Sequence, residues 1–545
     1  MRRVCAIIGL LCLLGQGAWA ADYRGVGNWA DPNGWSDGAP PSGAVEVKIR
    51  GEETILTLNT STDPWGAAQR LRVYEGAKLI VAEGAELLGA GWARIGAGSL
   101  GSAEQTGGLV RINNERLAIG DSAGSDGYYT IRGGTVTYSG DRGDLLVGAR
   151  GGKGTFTVVG TGPIIQMGKL IVADVAGASG TVEFQLTAEG VSPIVLAGSA
   201  SIDALGNEAL CALVVGSAGG APQADVVLVD LPAGAAAATA FDTVNGEPAA
   251  EGAAVTVRDR LTVYKYTLTY VGGATGNDIV LRYDSFVPPP TVVYVTDRIG
   301  ADSLVGDQGW IDWLVAEGYN VDARRGYWIE PLDPNRIAEL EAADLIIVSG
   351  LLDIYGFLDT TNYVADGEVA KWNSLATPLI NLNAYLAAGW HWVNSGTFGT
   401  FSRPGRLLAR DPNHPIFAGI ALDPNGLVEI LDPNAVLPTT SFIKSPEAGN
   451  GKLLASLGDS FPWIAEWAPG LEFYSGAGQF GGGWRMMFMA GNSDLLAAAG
   501  EGEFNLNEAG RQILRNVMVY LIARGQEQAN AEEGDAQPPA TPPQQ

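Results

Sequence analysis

Two histidines, one cysteine outside the leader and a scatter of carboxylates bound what this chain could catalyse. With only His391 and His414 in 545 residues, a three-histidine zinc centre is excluded. Cys5 and Cys12 fall in the first twenty residues, which leaves Cys211 alone. It is flanked by Leu210 and Ala212-Leu213-Val214-Val215 with no histidine nearby in sequence, so it reads as a small buried apolar residue rather than a nucleophile. Asp121, Asp126, Asp141, Asp144 and Glu183 have the side chains for a lyase or glycosidase pair, but most sit in glycine turns, where Asp bonds its own backbone. The richer constellation lies in the second half. Asp297 and Arg298 follow one apolar run, Ser349 follows another, Asn381 and Asn383 close a third, and Trp390-His391-Trp392 come soon after. Amides, carboxylates and indole faces together suit a sugar, whose hydroxyls take paired polar partners and whose C–H face stacks on rings. The plainer reading places Trp390 and Trp392 in the core and His391 in a loop. His414, between Asn413 and Pro415, reads as a turn residue, and no cofactor is expected.

The elements that carry these residues change grammar midway. In the first half Ile95-Gly96, Ile119-Gly120, Val147-Gly148 and Val172-Ala173 recur at spacings of 24, 28 and 25 residues, each followed by a glycine turn and an alternating β segment. A period near 25 with small residues at fixed offsets predicts a stacked solenoid. The period fades from about Glu208, although long β runs continue. Val287-Pro288-Pro289-Pro290 is a stiff hinge. Beyond it, apolar strands at 291–296, 344–349 and 379–382 alternate with helical patterns near 309–317, 334–342, 369–375 and 507–523, which predicts βαβ crossovers and a parallel sheet. In such a sheet ligands sit beyond the carboxyl ends of the strands, where Asp297, Arg298, Ser349, Gly350, Asn381 and Asn383 fall.

The start of the chain carries an address. Met1-Arg2-Arg3, the apolar run from Val4 to Leu14 and Ala18-Trp19-Ala20 form a signal peptide cleaved after Ala20, and no later stretch is long and apolar enough to span a membrane. The chain carries a formal charge of −26, and removing Arg2 and Arg3 would take it to −28, which argues against nucleic-acid or anionic-lipid partners. The expected organisation is a signal peptide at 1–20, an N-terminal cap at 21–55 around Trp29 and Trp35, the solenoid at 56–207, a β cap at 208–286, the proline linker at 287–290, an α/β domain at 291–525 and a disordered tail at 526–545. Asp-Pro-Asn at 31–33, 333–335, 411–413, 423–425 and 432–434 reads as a turn device rather than a metal ligand.

Two resemblances emerge. The Gly27-Asn28-Trp29 opening, Phe241-Asp242-Thr243-Val244-Asn245-Gly246 and the run Tyr266 to Leu281 frame the repeats, and together they resemble exported β-solenoid proteins with autotransporter-type repeats of planctomycete-like bacteria. That implies a right-handed parallel β-helix, secreted or on the cell surface. Residues 291–524 are similar to the class I glutamine amidotransferase-like superfamily, through Ala343 to Gly350, His414 to Ile420 and Asn505 to Gly510. That implies a doubly wound, flavodoxin-like sheet. Active members place a cysteine on a strand-to-helix elbow, whereas here the elbow reads Asn381-Leu382-Asn383-Ala384-Tyr385, so the resemblance implies fold without amidotransferase chemistry. Gly272 to Asp278 resembles a single calcium-binding nonapeptide, which needs stacked copies to complete its oxygen cage. The expectation is therefore a non-enzymatic exported protein, a β-solenoid spacer or adhesion module displaying a degenerate α/β domain, with polysaccharide or cell-surface components as partners. The alternative is a β-helix polysaccharide lyase or glycoside hydrolase.

Overall fold

The computed structural model describes residues 21–41, 46–58, 68–202, 209–235, 239–297, 306–352, 354–359, 367–394, 398–402, 406–444, 447–458, 461–490 and 502–535; the leader and Arg298 lie outside them. The chain divides into two compact units, Met1–Pro288 and Pro289–Gln545.

The first unit is a β-solenoid of about 10 turns. Strands of successive coils pair in parallel into two stacks. One begins at Ala21–Tyr23 and runs through Glu46–Arg50, Ala68–Tyr74, Glu86–Ile95, Leu109–Asp121 and Gly134–Ala149 to Val226–Asp230. The other runs from Val26–Asn28 to Thr243–Val244. The repeated Ile/Val-Gly pair is the vertical ladder of the first stack. Ile49, Val73, Ile95, Ile119, Val147, Val172 and Ile202 are register partners on successive coils and all are buried. Backbone ladders and this aliphatic column hold the unit without a disulfide.

Both ends depart from the sequence reading. Residues 21–55 were expected to cap the stack, yet their strands already pair as coils of it. The capping falls to Trp29 and Trp35, packed edge to face at 4.8 Å, with the Trp35 indole N–H donating to the Trp29 carbonyl at 2.9 Å. Nor does the stack stop near 207. Leu210–Ser217 pairs in parallel with Ser179–Leu186, and Thr243–Val244 follows it. The period fades because the coils lengthen: register partners are 23 residues apart at Ile55 and Lys78 but 31 apart at Ser179 and Leu210. Antiparallel strands Ala254–Asp259, Thr262–Gly272 and Asp278–Val287 close the first stack, and Glu247–Pro248 pairs antiparallel with Thr243–Val244 at the end of the second.

The second unit is built on a nine-stranded mixed sheet. Its order is Asn320–Asp322, Thr291–Val295, Leu345–Val348, Leu379–Asn381, Arg485–Phe488, Phe461–Trp467, Lys452–Leu457, Arg406–Ala409 and Leu427–Glu429. The first five pair in parallel, as the alternation of strands and helices predicts. The last four pair antiparallel, so the doubly wound pattern does not extend across the whole sheet. Helices Gln308–Glu317, Pro334–Glu341, Glu368–Ser374 and Ala384–Gly389 are interleaved with the parallel strands. Asp333 caps Pro334–Glu341 by accepting from the Asn335 and Arg336 N–H groups, with Pro334 in the first turn. Arg485 is wholly buried and donates to the carbonyls of Asn373 and Leu375, where helix Glu368–Ser374 ends and its last carbonyls lack partners. The closing helix, Glu508–Asp535, carries ten residues of the stretch 526–545 that composition marked as disordered.

Candidate functional site

The carboxyl edge of the parallel strands gathers the polar residues that the sequence places there. Ser349 follows Leu345–Val348, Asn381 ends Leu379–Asn381, and Asn383 opens the next helix. Each is essentially inaccessible to solvent. Their hydrogen bonds run inward. The Asn383 N–H donates to Asn381 Oδ1 at 2.9 Å, and the Asn381 amide donates to the Asn383 carbonyl at 3.0 Å. Asn383 caps the helix by accepting from the Tyr385 and Leu386 N–H groups, while its own amide reaches the Gly350 carbonyl at 3.1 Å. The Asn-Leu-Asn elbow is thus a self-satisfied turn. Asp297 sits on the same edge after Thr291–Val295, and Arg298 lies outside the described residues.

A carboxylate that sequence reasoning missed lies at the centre of this edge. Asp307 precedes helix Gln308–Glu317 at its N-cap position, yet its side chain makes no capping bond. It turns inward and accepts from the Thr296 hydroxyl at 2.5 Å. Burial pushes its carboxyl up to about 6, held back by the Ser349, Thr296 and Tyr294 hydroxyls and raised further by Asp297. Burial also drives the Tyr294 hydroxyl well above its ordinary range. The signal was present in sequence: an Asp immediately before an amphipathic helix is an N-cap candidate. Chemically the cluster is a buried carboxyl that changes charge near neutral pH inside a ring of hydroxyls. With Thr296, Asp307 and Ser349 all at 0–1% exposure, it faces protein rather than solvent.

The tryptophans belong to the core. Trp390 and Trp392 are 0% exposed. Trp390 stacks on Trp372 at 5.5 Å and donates its indole N–H to the Phe357 carbonyl. Trp392 lies against Phe473 and donates to Asn373 Oδ1. The sugar-stacking role suggested for Trp390 is therefore corrected, because its ring faces are occupied by other rings. His391 is exposed and takes φ +64°. Its N–H donates to the Ala388 carbonyl and the Trp392 N–H to the Ala387 carbonyl, which is the Schellman closure of helix Ala384–Gly389. His414 is a turn residue that caps the short helix Pro415–Phe417. Its Nε2 lies 3.3 Å from buried Glu466.

Three of the five solenoid carboxylates are engaged, each on its own. Asp121 is held between Arg94 and Arg150, Asp144 lies 3.7 Å from Arg142, and Glu183 accepts from Thr157 and Gln185. Asp126 and Asp141 remain at the surface. In the calcium-like loop, the Asn277 amide donates to the Pro232 and Ala235 carbonyls, and Asp278 accepts from the Leu231 N–H. Those side chains fasten the terminal hairpin to the preceding coil. The Asp-Pro-Asn turns close through their Asp oxygens, as at Asp31, Asp423 and Asp432.

No protein-family description matches the chain, and no curated protein does. Among solved structures it is similar to Cytoplasmic Protein STM3548 from Salmonella typhimurium, at 14% identity and a TM-score of 0.28, over 42% of this chain and 98% of that one. It is likewise similar to Cytoplasmic Protein STM1381 from Salmonella typhimurium LT2, at 14% identity and a TM-score of 0.27, over 42% of this chain and 99% of that one. At those scores neither likeness bears on fold or function.

Proposed function

We propose that this chain is a non-enzymatic display protein. Its N-terminal signal exports it to the cell surface or the surrounding medium. The solenoid serves as spacer or adhesion module, and the second unit is a flavodoxin-like domain of amidotransferase type without that chemistry. One observation carries the reading: the polar residues at the carboxyl edge of the second sheet spend their hydrogen bonds on one another and on helix caps, while Asp121, Asp144 and Glu183 of the solenoid are each held by neighbouring cations, a hydroxyl or an amide. A rigid, end-plugged stack is what a spacer needs, since each added coil extends it without a new core.

The test is a turnover screen. Purified chain spanning residues 21–545 is incubated with polyuronates and neutral glycans, and released products are measured. No product is expected. Robust cleavage lost in Asp144→Asn would replace this reading with the lyase or glycosidase one.

A further inference from the structure

One outward face of the solenoid carries charge opposite to that of the chain. On the first parallel stack Lys48, Arg72 and Arg94 occupy one column on successive coils; Glu46, Arg70 and Trp92 occupy the next, with Arg116 one coil further on and Asp144 beyond it. Their neighbours Val47, Ile49, Leu71, Val73, Ala93 and Ile95 point inward and are buried, so alternation turns this set outward. In a chain with 60 acidic residues and 34 basic ones, such a grouping is not the average surface. The guanidinium carbons of Arg70, Arg72 and Arg94 lie 5.5, 5.3 and 3.6 Å from the Trp92 ring centre.

Carboxylates only partly offset this charge. Glu46 serves both Arg72 at 2.8 Å and Lys48 at 3.9 Å, and Asp121 serves both Arg94 and Arg150. Among the described residues, no carboxylate lies within ion-pair distance of Arg70 or Arg116. Burial lowers the pKa of Arg94, and the positive charges of Arg150, Arg72 and Arg70 lower it further against the pull of Asp121. Like charges gathered beside an indole oppose the fold, and an anion settling among them relieves that repulsion.

We propose that this face binds an acidic polysaccharide, a polyuronate chain laid along the stack, with the guanidiniums that half-buried Trp92 gathers taking its carboxylates. Coils rise by about 4.8 Å, so the four from Lys48 to Arg116 offer roughly 15 Å of binding length. Two rival polyanions fit less well. Duplex nucleic acid carries about one charge per 1.7 Å, and the surrounding acidic surface repels it more than a polymer with one carboxylate per sugar. An anionic bilayer would press on that acidic surface as a plane. This ligand belongs to the solenoid whether or not the chain is exported.

The experiment is calorimetric titration of the full chain, residues 21–545, with polygalacturonate, dextran, duplex DNA and phosphatidylglycerol vesicles. Polygalacturonate is expected to bind at low salt and to weaken roughly tenfold when salt is raised to about 200 mM, while dextran does not bind. Arg70→Gln/Arg72→Gln should weaken binding by about tenfold, and Lys78→Gln/Arg132→Gln, the same charge change on the other stack, by less than about twofold. Trp92→Ala should also weaken it. If that variant fails to fold, by circular dichroism, the exposed single change Arg70→Gln should still cost about threefold. No binding of polygalacturonate, equal losses in the two double variants, or tighter binding of DNA or vesicles would each overturn the proposal.

Discussion

Position 173 is where the coil repeat departs from glycine. Its counterparts Gly96, Gly120 and Gly148 adopt φ near +70°, and a Cβ built at Gly120 would lie 1.8 Å from the Lys153 carbonyl oxygen. Ala173 adopts φ +52° regardless, a conformation that costs a non-glycine residue about 1–2 kcal/mol. The next column repeats the theme: Gly101, Gly127, Gly154 and Gly180 are register partners, and the following coil places Cys211 there, wholly buried, with its sulfur 3.4 Å from the Val172 carbonyl. This explains the lone cysteine as a packing residue where the coils begin to widen. Gly120→Ala is expected to lower stability by about 3 kcal/mol or more, because backbone must move to admit the methyl group. Ala173→Gly should raise it by up to about 1 kcal/mol. Denaturant midpoints of the two variants check both signs. At Asp307 the prediction concerns pH. Its carboxyl rises from 3.8 to about 6 on folding, so the folded state holds the proton more tightly, and the stabilisation present below about pH 4 is lost as pH climbs through 6. At about 1.4 kcal/mol per tenfold change in proton affinity, the loss approaches roughly 3 kcal/mol. Asp307→Asn keeps the neutral form and should flatten the fall in melting temperature between pH 4 and 7. An unchanged fall would assign the effect to other groups.

The terminal hairpin is the element most exposed to a single loss. Asn277 ties it to the last coil through two hydrogen bonds donated by its side-chain amide and is 6% exposed. Asn277→Ala removes a donor from the Ala235 carbonyl and leaves the Pro232 carbonyl with the Ala235 N–H alone, at about 1–3 kcal/mol, and hydrogen exchange should quicken first in Val226–Asp230 and Asp278–Val287. The stack itself was legible because an inward aliphatic residue recurs on successive coils, followed by Gly96, Gly120 and Gly148 on three of them. Its far end was not, since coil length is set by surface loops that carry no periodic constraint. The five parallel strands were legible in the alternation of apolar runs with helical ones. The antiparallel strands Arg406–Ala409, Leu427–Glu429 and Lys452–Leu457 are short and lack a pattern separating them from loop. At the edge, Ser349, Asn381 and Asn383 could be placed from strand ends, but sequence could not tell whether such groups face a ligand or one another. Asp307 escaped notice because its partners Thr296 and Ser349 lie on other elements.

The molecule as a whole carries an end-plugged β-solenoid and a mixed-sheet unit, and we propose that both are displayed outside the cell. The chain's acidity keeps such a protein soluble, and the basic patch around Trp92 is local. No described helix is long and apolar enough to cross a membrane. The claim is most directly tested by antibody labelling of intact producing cells and their medium, compared with permeabilised cells. Strong labelling of intact cells or accumulation in the medium is expected, with the mature chain beginning at Ala21. Labelling only after permeabilisation, with Met1 to Ala20 still attached, would contradict it.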